Sequence, residues 1–200
     1  IVHALAGDAG YALTLVDEMQ LLSFHDPTIP ILRSHLHYIR GEYDAALAAA
    51  EQSMGVRNTL MGRLQKGKAL IGLGRLAEAE ETLRAAADDP AALQETRAYL
   101  AYAYAIGGKR REARELLVGL QHQPNDDPSR FTSAALPAVV YVALGERDRA
   151  LAAIRAGVEQ TDPTIWFLQF DPVLAPLGAD LSLIVPSLDP TALRDDDTAG

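Results

Sequence analysis

Apolar and polar residues follow a helical period along most of this chain, and the clearest stretch runs from Gly41 to Met54. Its sequence, GEYDAALAAAEQSM, places a glycine turn before an alanine-rich segment in which apolar residues recur at spacings of three and four. The same order returns at four other glycines: Gly7, Gly74, Gly108 and Gly145. Successive glycines are 34, 33, 34 and 37 residues apart, so the pattern predicts a repeat of paired helices.

Two further positions keep the register of this repeat. The residue five places after the glycine is alanine in every copy: Ala12, Ala46, Ala79, Ala113 and Ala150. The residue seven places before the glycine is small wherever the chain reaches it: Ser34, Gly67, Ala101 and Ala138. Two helices need small residues at such positions if they are to cross with their backbones close together. We therefore interpret Gly41 and Ala46 as packing residues and not as parts of a site.

The repeat also predicts where the helices lie. The expected helices are 8–24, 30–40, 43–56, 59–73, 76–88, 91–106, 109–121, 129–144 and 146–161, with a loop of about eight residues within 122–131. Pro137 falls inside the eighth of them, where we expect it to bend the helix. The period is lost after residue 161, and short helices are expected at 164–170, 172–177 and 180–186. Because a repeat array leaves an apolar face at each end, this aromatic-rich segment is predicted to cover the last repeat.

With its turn glycine, its paired small positions and its period near 34 residues, the chain resembles the tetratricopeptide repeat family. The resemblance covers roughly residues 1–161 and implies an all-α fold, an α-solenoid of helix-turn-helix repeats with a C-terminal helical cap. The large aromatic residue that the family places eleven residues before the turn glycine is replaced here by Pro30, Arg63, Arg97 and Ala134. The expected units are a half repeat 1–26, repeats 27–58, 59–90, 91–127 and 128–161, a capping segment 162–188 and a frayed tail 189–200.

The C-terminal segment resembles the ends of similar arrays in bacterial multidomain regulators. The shared features are two Asp-Pro steps with an apolar run between them and a Pro-Leu step after them: Asp162-Pro163, Trp166 to Leu168, Asp171-Pro172 and Pro176-Leu177. The arginine-rich Asp-Pro turn expected next is replaced by Gly178, Ala179 and Asp180. The resemblance implies a winged-helix, cyclase or kinase domain upstream. Because the chain begins midway through a repeat, we expect it to be the C-terminal part of a longer protein.

Composition narrows the classes of function. A hydrophobic content of 48% with 22% charged residues is typical of a chain with a sizeable interior, and no apolar run approaches the roughly eighteen residues of a membrane span. The net charge of −9 argues against a nucleic-acid surface. The absence of cysteine excludes disulfides and thiolate chemistry and is compatible with a reducing compartment, so the expected location is the cytoplasm.

Residue types that carry catalysis are not grouped in any recognisable way. His35 and His37 are two places apart, which puts them about 200° apart around a helix instead of on one face. Glu78, Glu80 and Glu81 sit at a helix start, where the helix dipole favours negative charge. The sequence has no nucleophile elbow and no phosphate-binding loop. We therefore expect no enzyme activity, no metal and no cofactor.

The resemblance implies a concave groove lined by the first helix of each repeat. Carried onto this chain, its lining residues are His35, Tyr38, Lys68, Ile71, Tyr99, Tyr102, Val139 and Val142. Family members that bind a chaperone's C-terminal carboxylate use several cations, whereas Lys68 is the only one here, so an apolar peptide or helix is the more fitting partner. The alternative is that some of the tyrosines merely pack between neighbouring repeats.

Three functions remain open on these residues. The first is a non-catalytic interaction or scaffold module that binds a protein or peptide in the groove. The second is a small-ligand sensor, in which an apolar effector enters between the array and the segment around Trp166 and acts on an upstream domain. The third is a module that serves an enzyme domain upstream. No nucleic acid or membrane partner is expected, and the oligomeric state is not predicted.

Overall fold

A computed structural model describes residues 9–23, 26–121 and 132–185 of the chain. Within these ranges the protein is all-helical and contains no strand. The helices are α1 Ala9–Leu22, α2 Thr28–Ile39, α3 Tyr43–Val56, α4 Leu60–Gly72, α5 Leu76–Ala87, α6 Gln94–Ile106, α7 Arg110–Gln121, α8 Pro137–Leu144, α9 Arg147–Glu159, α10 Ile165–Leu168, the 3₁₀ helix Pro172–Leu177 and α11 Ala179–Ile184. The predicted Gly7 turn, the loop 122–131 and the tail after residue 185 lie outside the described residues.

The glycine turns have one shared geometry. Gly41, Gly74, Gly108 and Gly145 each have a positive φ, between 71° and 84°. In each turn the amide after the glycine donates to the carbonyl five residues earlier, as Arg75 N donates to Leu70 O over 2.9 Å. Only glycine adopts a left-handed conformation without strain, and the bond satisfies a carbonyl left open at the helix end. The predicted register of the turns is confirmed for these four copies.

The small positions lie where helices cross. Ala46, like its counterparts in the other described copies, is almost completely buried. A Cβ atom added to Gly67 would stand 2.4 Å from the side chain of Leu83, so no larger residue fits without movement. Ser34 Oγ donates to Ala46 O over 2.8 Å, which joins the two small positions of one pair. Ala46, Gly67 and Ser34 are therefore packing residues, as the pattern predicts. The prediction was wrong for Gly41, because no atom lies within 4 Å of a Cβ added there and its role is the positive φ of the turn.

Helices pack in the order of the chain. Each helix from α1 to α9 contacts the next one, and α2, α4, α6 and α8 also contact one another in succession. These four helices therefore form a continuous layer. The 3₁₀ helix contacts α8, while α10 and α11 contact α9, so the short helices of the aperiodic segment contact the last pair of helices. None of the described helices is long and apolar enough to cross a membrane.

One prediction about a helix was wrong. Helix α8 begins at Pro137, so this proline does not lie inside a helix and does not bend it. A proline fits the first turn because the amide hydrogen it lacks would have no helical partner there. The preceding residues form an irregular stretch in which Leu136 N donates to Ser133 Oγ over 3.1 Å. The bounds of the other described helices differ from the prediction by a few residues at most.

Candidate functional site

The C-terminal segment inserts the carboxylate of Asp171 against helices α2, α4 and α6. Tyr38 donates from its hydroxyl to Oδ1 over 2.7 Å, and Lys68 Nζ donates to Oδ2 over 2.9 Å. The hydroxyl of Tyr99 also donates to Oδ2. The amide of Val173 donates to Oδ1 over 3.1 Å, so the same carboxylate caps the 3₁₀ helix. Asp171 thus accepts bonds from four donors and is only 5% exposed.

The three donors come from helices that are neighbours in one layer, α2, α4 and α6. Tyr38, Lys68 and Tyr99 lie three, six and nine residues before their turn glycines, so each stands one helical turn further back than the last. The ammonium of Lys68 lies 4.5 Å from the ring centroid of Tyr38 and 4.4 Å from that of Tyr99. The two rings interact favourably with the buried cation, in addition to the attraction of Asp171. This arrangement compensates part of the loss of hydration when Lys68 is buried.

The protonation states in this cluster follow from its geometry. Burial raises the pKa of Asp171, but the charge of Lys68 and the hydrogen bonds outweigh burial and hold that pKa below its ordinary value. Burial, together with the Asp171 charge, raises the pKa of Tyr38 and of Tyr99 well above the ordinary value. At neutral pH the carboxylate is therefore ionised, and both tyrosines keep the protons that they donate.

A cavity of about 490 Å³ lies beside this cluster. Its walls are largely apolar and come from α2 and α4, while two residues of the C-terminal segment cover it: Ile31, Leu32, Met61 and Leu64 on the walls, Phe167 and Leu168 above them. The volume falls within the range of about 300 to 1,000 Å³ that is common for small-molecule sites. The cavity is thus formed between the repeats and the aperiodic segment.

The cavity also contains polar atoms that have no partner. His35 Nδ1 and Gln65 Oε1 are buried and have no hydrogen-bond partner at normal geometry among the described residues, although the Gln65 side chain interacts with the His35 imidazole. Glu95, on the first turn of α6, lines the cavity as well, and no donor among the described residues bonds to its carboxylate. Buried polar atoms are paired in most proteins, so the atoms of His35 and Gln65 are unusual, whereas Glu95 is half-buried.

Burial governs the charges of these lining residues. It lowers the pKa of His35 to about 4, with a further lowering by Lys68 and an opposing effect of Asp171 and Gln65, so the imidazole is neutral at pH 7. Burial raises the pKa of Glu95, an effect that Lys68 partly opposes and Asp171 reinforces. The ring of Phe167 meets that of His35 edge-on, with centroids 6.1 Å apart.

The first Asp-Pro step anchors the other end of the segment. Asp162 Oδ2 accepts from Ser133 Oγ over 2.6 Å and from the amide of Ala135 over 3.1 Å. Its Oδ1 accepts from the amide of Thr164 over 2.9 Å. The segment is therefore held by two buried aspartates, at the start of α8 by Asp162 and against α2, α4 and α6 by Asp171.

Four of the residues predicted to line a groove come together here: His35, Tyr38, Lys68 and Tyr99. Ile71, Tyr102, Val139 and Val142 pack in the main hydrophobic core, to which Tyr38 and Tyr99 also belong, and they contact neither Asp171 through a hydrogen bond nor the cavity. Tyr38, Lys68 and Tyr99 are each less than a tenth exposed, because the C-terminal segment contacts them. The described chain thus fills this part of the predicted groove with its own residues.

Sequence reasoning missed three residues of the site: Gln65, Glu95 and Asp171. Helical spacing could have indicated the first two, since Gln65 is three residues before Lys68 and Glu95 is four before Tyr99, which puts each on its partner's face. The Asp171-Pro172 step was recognised as a pattern, but nothing in the sequence shows that it meets Lys68.

A second concavity, of about 740 Å³, has Tyr141 and Arg149 among its lining residues. Its lining also includes Gln121 and Thr132, at the two limits of the described ranges, and none of the unpaired buried atoms of the described residues lines it. In the parts of the chain that the structure describes, no three His, Asp or Glu residues are grouped as metal ligands. The cavity beside Asp171 is therefore the stronger candidate site.

Comparisons with protein-family models, with curated proteins and with solved structures find no match to this chain.

Proposed function

We propose that this chain is a non-catalytic regulatory module of a larger bacterial, cytoplasmic protein, and that it binds a small, largely apolar molecule between its helical repeats and its C-terminal segment. The fold in this proposal is an α-solenoid of tetratricopeptide-like repeats with a C-terminal cap. Contacts of α2, α4, α6 and α8 in succession support it, as does the shared geometry of the four glycine turns.

The cavity of about 490 Å³ is the observation that carries this proposal. Its apolar walls would take the body of a ligand, and the unpaired atoms of His35 and Gln65 would orient it. Concave, mostly apolar sites with a few convergent polar groups are the usual form of small-molecule sites.

Regulation follows from the two parts of the chain that enclose the cavity. A ligand would contact α2 and α4 on one side and Phe167 and Leu168 on the other. A ligand shifts a conformational equilibrium only as far as it binds the two states differently. A molecule held between the repeats and the segment would favour the state in which the two are in contact, and a domain joined to the chain could respond to that change.

A thermal-shift screen of small molecules on this chain tests the proposal, with isothermal titration of each compound that raises the melting temperature. Ligands that bind only the folded state stabilise it by mass action, by about 2.7 kcal/mol at a hundred times Kd. Leu32→Phe, which adds volume at the cavity wall, should abolish the binding. Leu183→Phe makes the same substitution at an exposed residue and should leave ligand binding intact. Compounds that bind equally to both variants do not occupy the cavity, and a screen without any binder would refute the proposal.

A second candidate, binding of a protein partner, is favoured by the position of Asp171. Its carboxylate fills a site made by Lys68 and two tyrosines, and an acidic segment of a partner could compete for that site. Binding of an acidic peptide to Asp171→Asn, and not to the unchanged chain, would support this competition. If the peptide binds neither Asp171→Asn nor the unchanged chain, the protein-partner candidate fails and the ligand proposal stands.

A further inference from the structure

Three hydrogen-bond donors beside the cavity are already used by Asp171. Tyr38, Tyr99 and Lys68 all direct their donors at the Asp171 carboxylate. The side-chain amide of Gln65 donates to Met61 Sδ over 3.9 Å. While Asp171 is in place, the cavity therefore offers few donors to an anionic ligand.

The acceptors are not used. Gln65 Oε1 is buried and has no partner among the described residues, and the residue is only 6% exposed. His35 Nδ1 is in the same situation, and a neutral imidazole accepts through one nitrogen when the other carries the proton. Glu95 adds a carboxylate whose oxygens bond to no described donor. The unused acceptors of the cavity are thus Gln65 Oε1, the Glu95 carboxylate and, when the ring proton is on Nε2, His35 Nδ1.

The charges point in the same direction. Lys68 and Asp171 neutralise each other, and His35 is uncharged at neutral pH. Glu95 has no opposite charge in contact within the described part of the chain. Burial and Asp171 raise its pKa, Lys68 partly opposes them, and a cation bound beside it would favour the ionised carboxylate.

We infer that the cavity takes a cationic amphiphile, a molecule with an apolar or aromatic body and a protonated amine that donates to Glu95 and to the neighbouring acceptors on Gln65 and His35. This inference rests on the proposed small-ligand function and names the class of ligand. The body lies against the apolar walls and Phe167, and an ammonium group supplies the donors that the lining lacks.

A carboxylate amphiphile is the rival occupant. It would have to displace Asp171 from Lys68, Tyr38 and Tyr99, and Asp171 competes from within the same chain. Competition by a tethered group lowers the affinity of a free acid, because the tethered group acts at a high effective concentration. The amine meets no such competitor.

Three probes with one body and different head groups test the inference: phenylbutylamine, phenylbutanol and phenylbutyrate. Isothermal titration on the unchanged chain should give the amine an affinity about tenfold above that of the alcohol, as expected for a charge-assisted hydrogen bond. Glu95→Gln should remove this advantage and leave the affinity for the alcohol unchanged. Glu81→Gln, on an exposed carboxylate of α5, should keep it.

Each other outcome has a definite meaning. If the alcohol binds and the amine binds no better, or if Glu95→Gln preserves the preference, the inference is overturned and the small-ligand function stands. Tightest binding of phenylbutyrate also overturns it and assigns the cavity to acids that displace Asp171. If compounds from the screen bind in the cavity but phenylbutylamine does not, the ligand is not a cationic amphiphile and the inference is overturned. If neither the probes nor the screen gives a ligand, the proposed function fails together with the inference.

Discussion

Lys68 and Asp171 form a buried ion pair, 2.9 Å from Nζ to Oδ2, across 103 residues of sequence. The side chains are 7% and 2% exposed. A pair of this kind is costly to break, because removing one partner leaves the other charge buried without compensation. It fixes the C-terminal segment on the repeats and forms one boundary of the cavity.

Lys68→Met should therefore lower the free energy of unfolding by about 3–5 kcal/mol in urea denaturation, since Asp171 would lose its counter-ion. Lys66→Met, on the same helix, removes a pair with the exposed Glu51 and should change stability by no more than about 1 kcal/mol. The double variant Lys68→Met/Asp171→Leu should regain part of the loss, because it removes both charges. Equal losses in the two lysine variants would show that the pair does not hold the segment.

The buried His35 should make stability depend on pH. Its pKa is lowered from 6.5 to about 4 in the folded protein, chiefly by burial. Between these values the unfolded chain binds a proton at this histidine and the folded chain does not. The free energy of unfolding should thus keep its full value above pH 6.5. It should fall as the pH drops toward 4, by up to about 3 kcal/mol.

Urea denaturation at about pH 7 and about pH 4.5 measures this effect. His35→Leu should show a smaller loss between the two pH values than the unchanged chain, since the other titrating groups are common to both. If the two proteins lose the same free energy, His35 does not titrate with a lowered pKa.

Ala46→Leu should destabilise the protein by about 1–3 kcal/mol, because Ala46 is fully buried at a helix crossing and a larger side chain would be overpacked. Thermal denaturation measures the loss. The same substitution at Ala48, which is exposed on the same helix, should have little effect. A melting temperature for Ala46→Leu that matches the control would contradict the register of the repeat.

Gly108→Ala should destabilise by about 1–2 kcal/mol, because φ is 84° at this turn and a Cβ atom is strained there. Gly119→Ala is the matched control. That glycine lies inside α7 with no atom within 4 Å of an added Cβ, so alanine should stabilise the helix by about 0.5–1 kcal/mol. Opposite signs in chemical denaturation are expected, and a gain at both positions would contradict the assignment of the turn.

Most of the helices could be predicted from the sequence because their determinants are local. Gly74 supplies the positive φ of one turn, and Ala79 is the small side chain at one helix crossing. Each copy of the repeat has the same two local requirements. Pro137 shows the limit of this reasoning. Its restriction of φ suits the first turn of a helix as well as a kink, and the choice depends on Ser133, Asp162 and the residues that hold the preceding stretch.

The site could be predicted only in part. His35, Tyr38, Lys68 and Tyr99 follow from their position before the turn glycine, because repeat geometry places related positions on one layer. Ile71 and Val139 follow from the same rule, yet they pack in the core. The position of a residue relative to the turn glycine predicts its helix and its face. It does not predict which other part of the chain packs against that face.

The sequence by itself determined the repeat, its turns and the small residues at its crossings, since each depends on steric requirements within a few residues. Only the tertiary structure decided that Asp171 meets Lys68 and that His35, Gln65 and Glu95 share a cavity. Those contacts join residues far apart in the chain, through burial and charge pairing in a segment that has no period. Their partners are set by the three-dimensional path of the chain, which no local pattern contains.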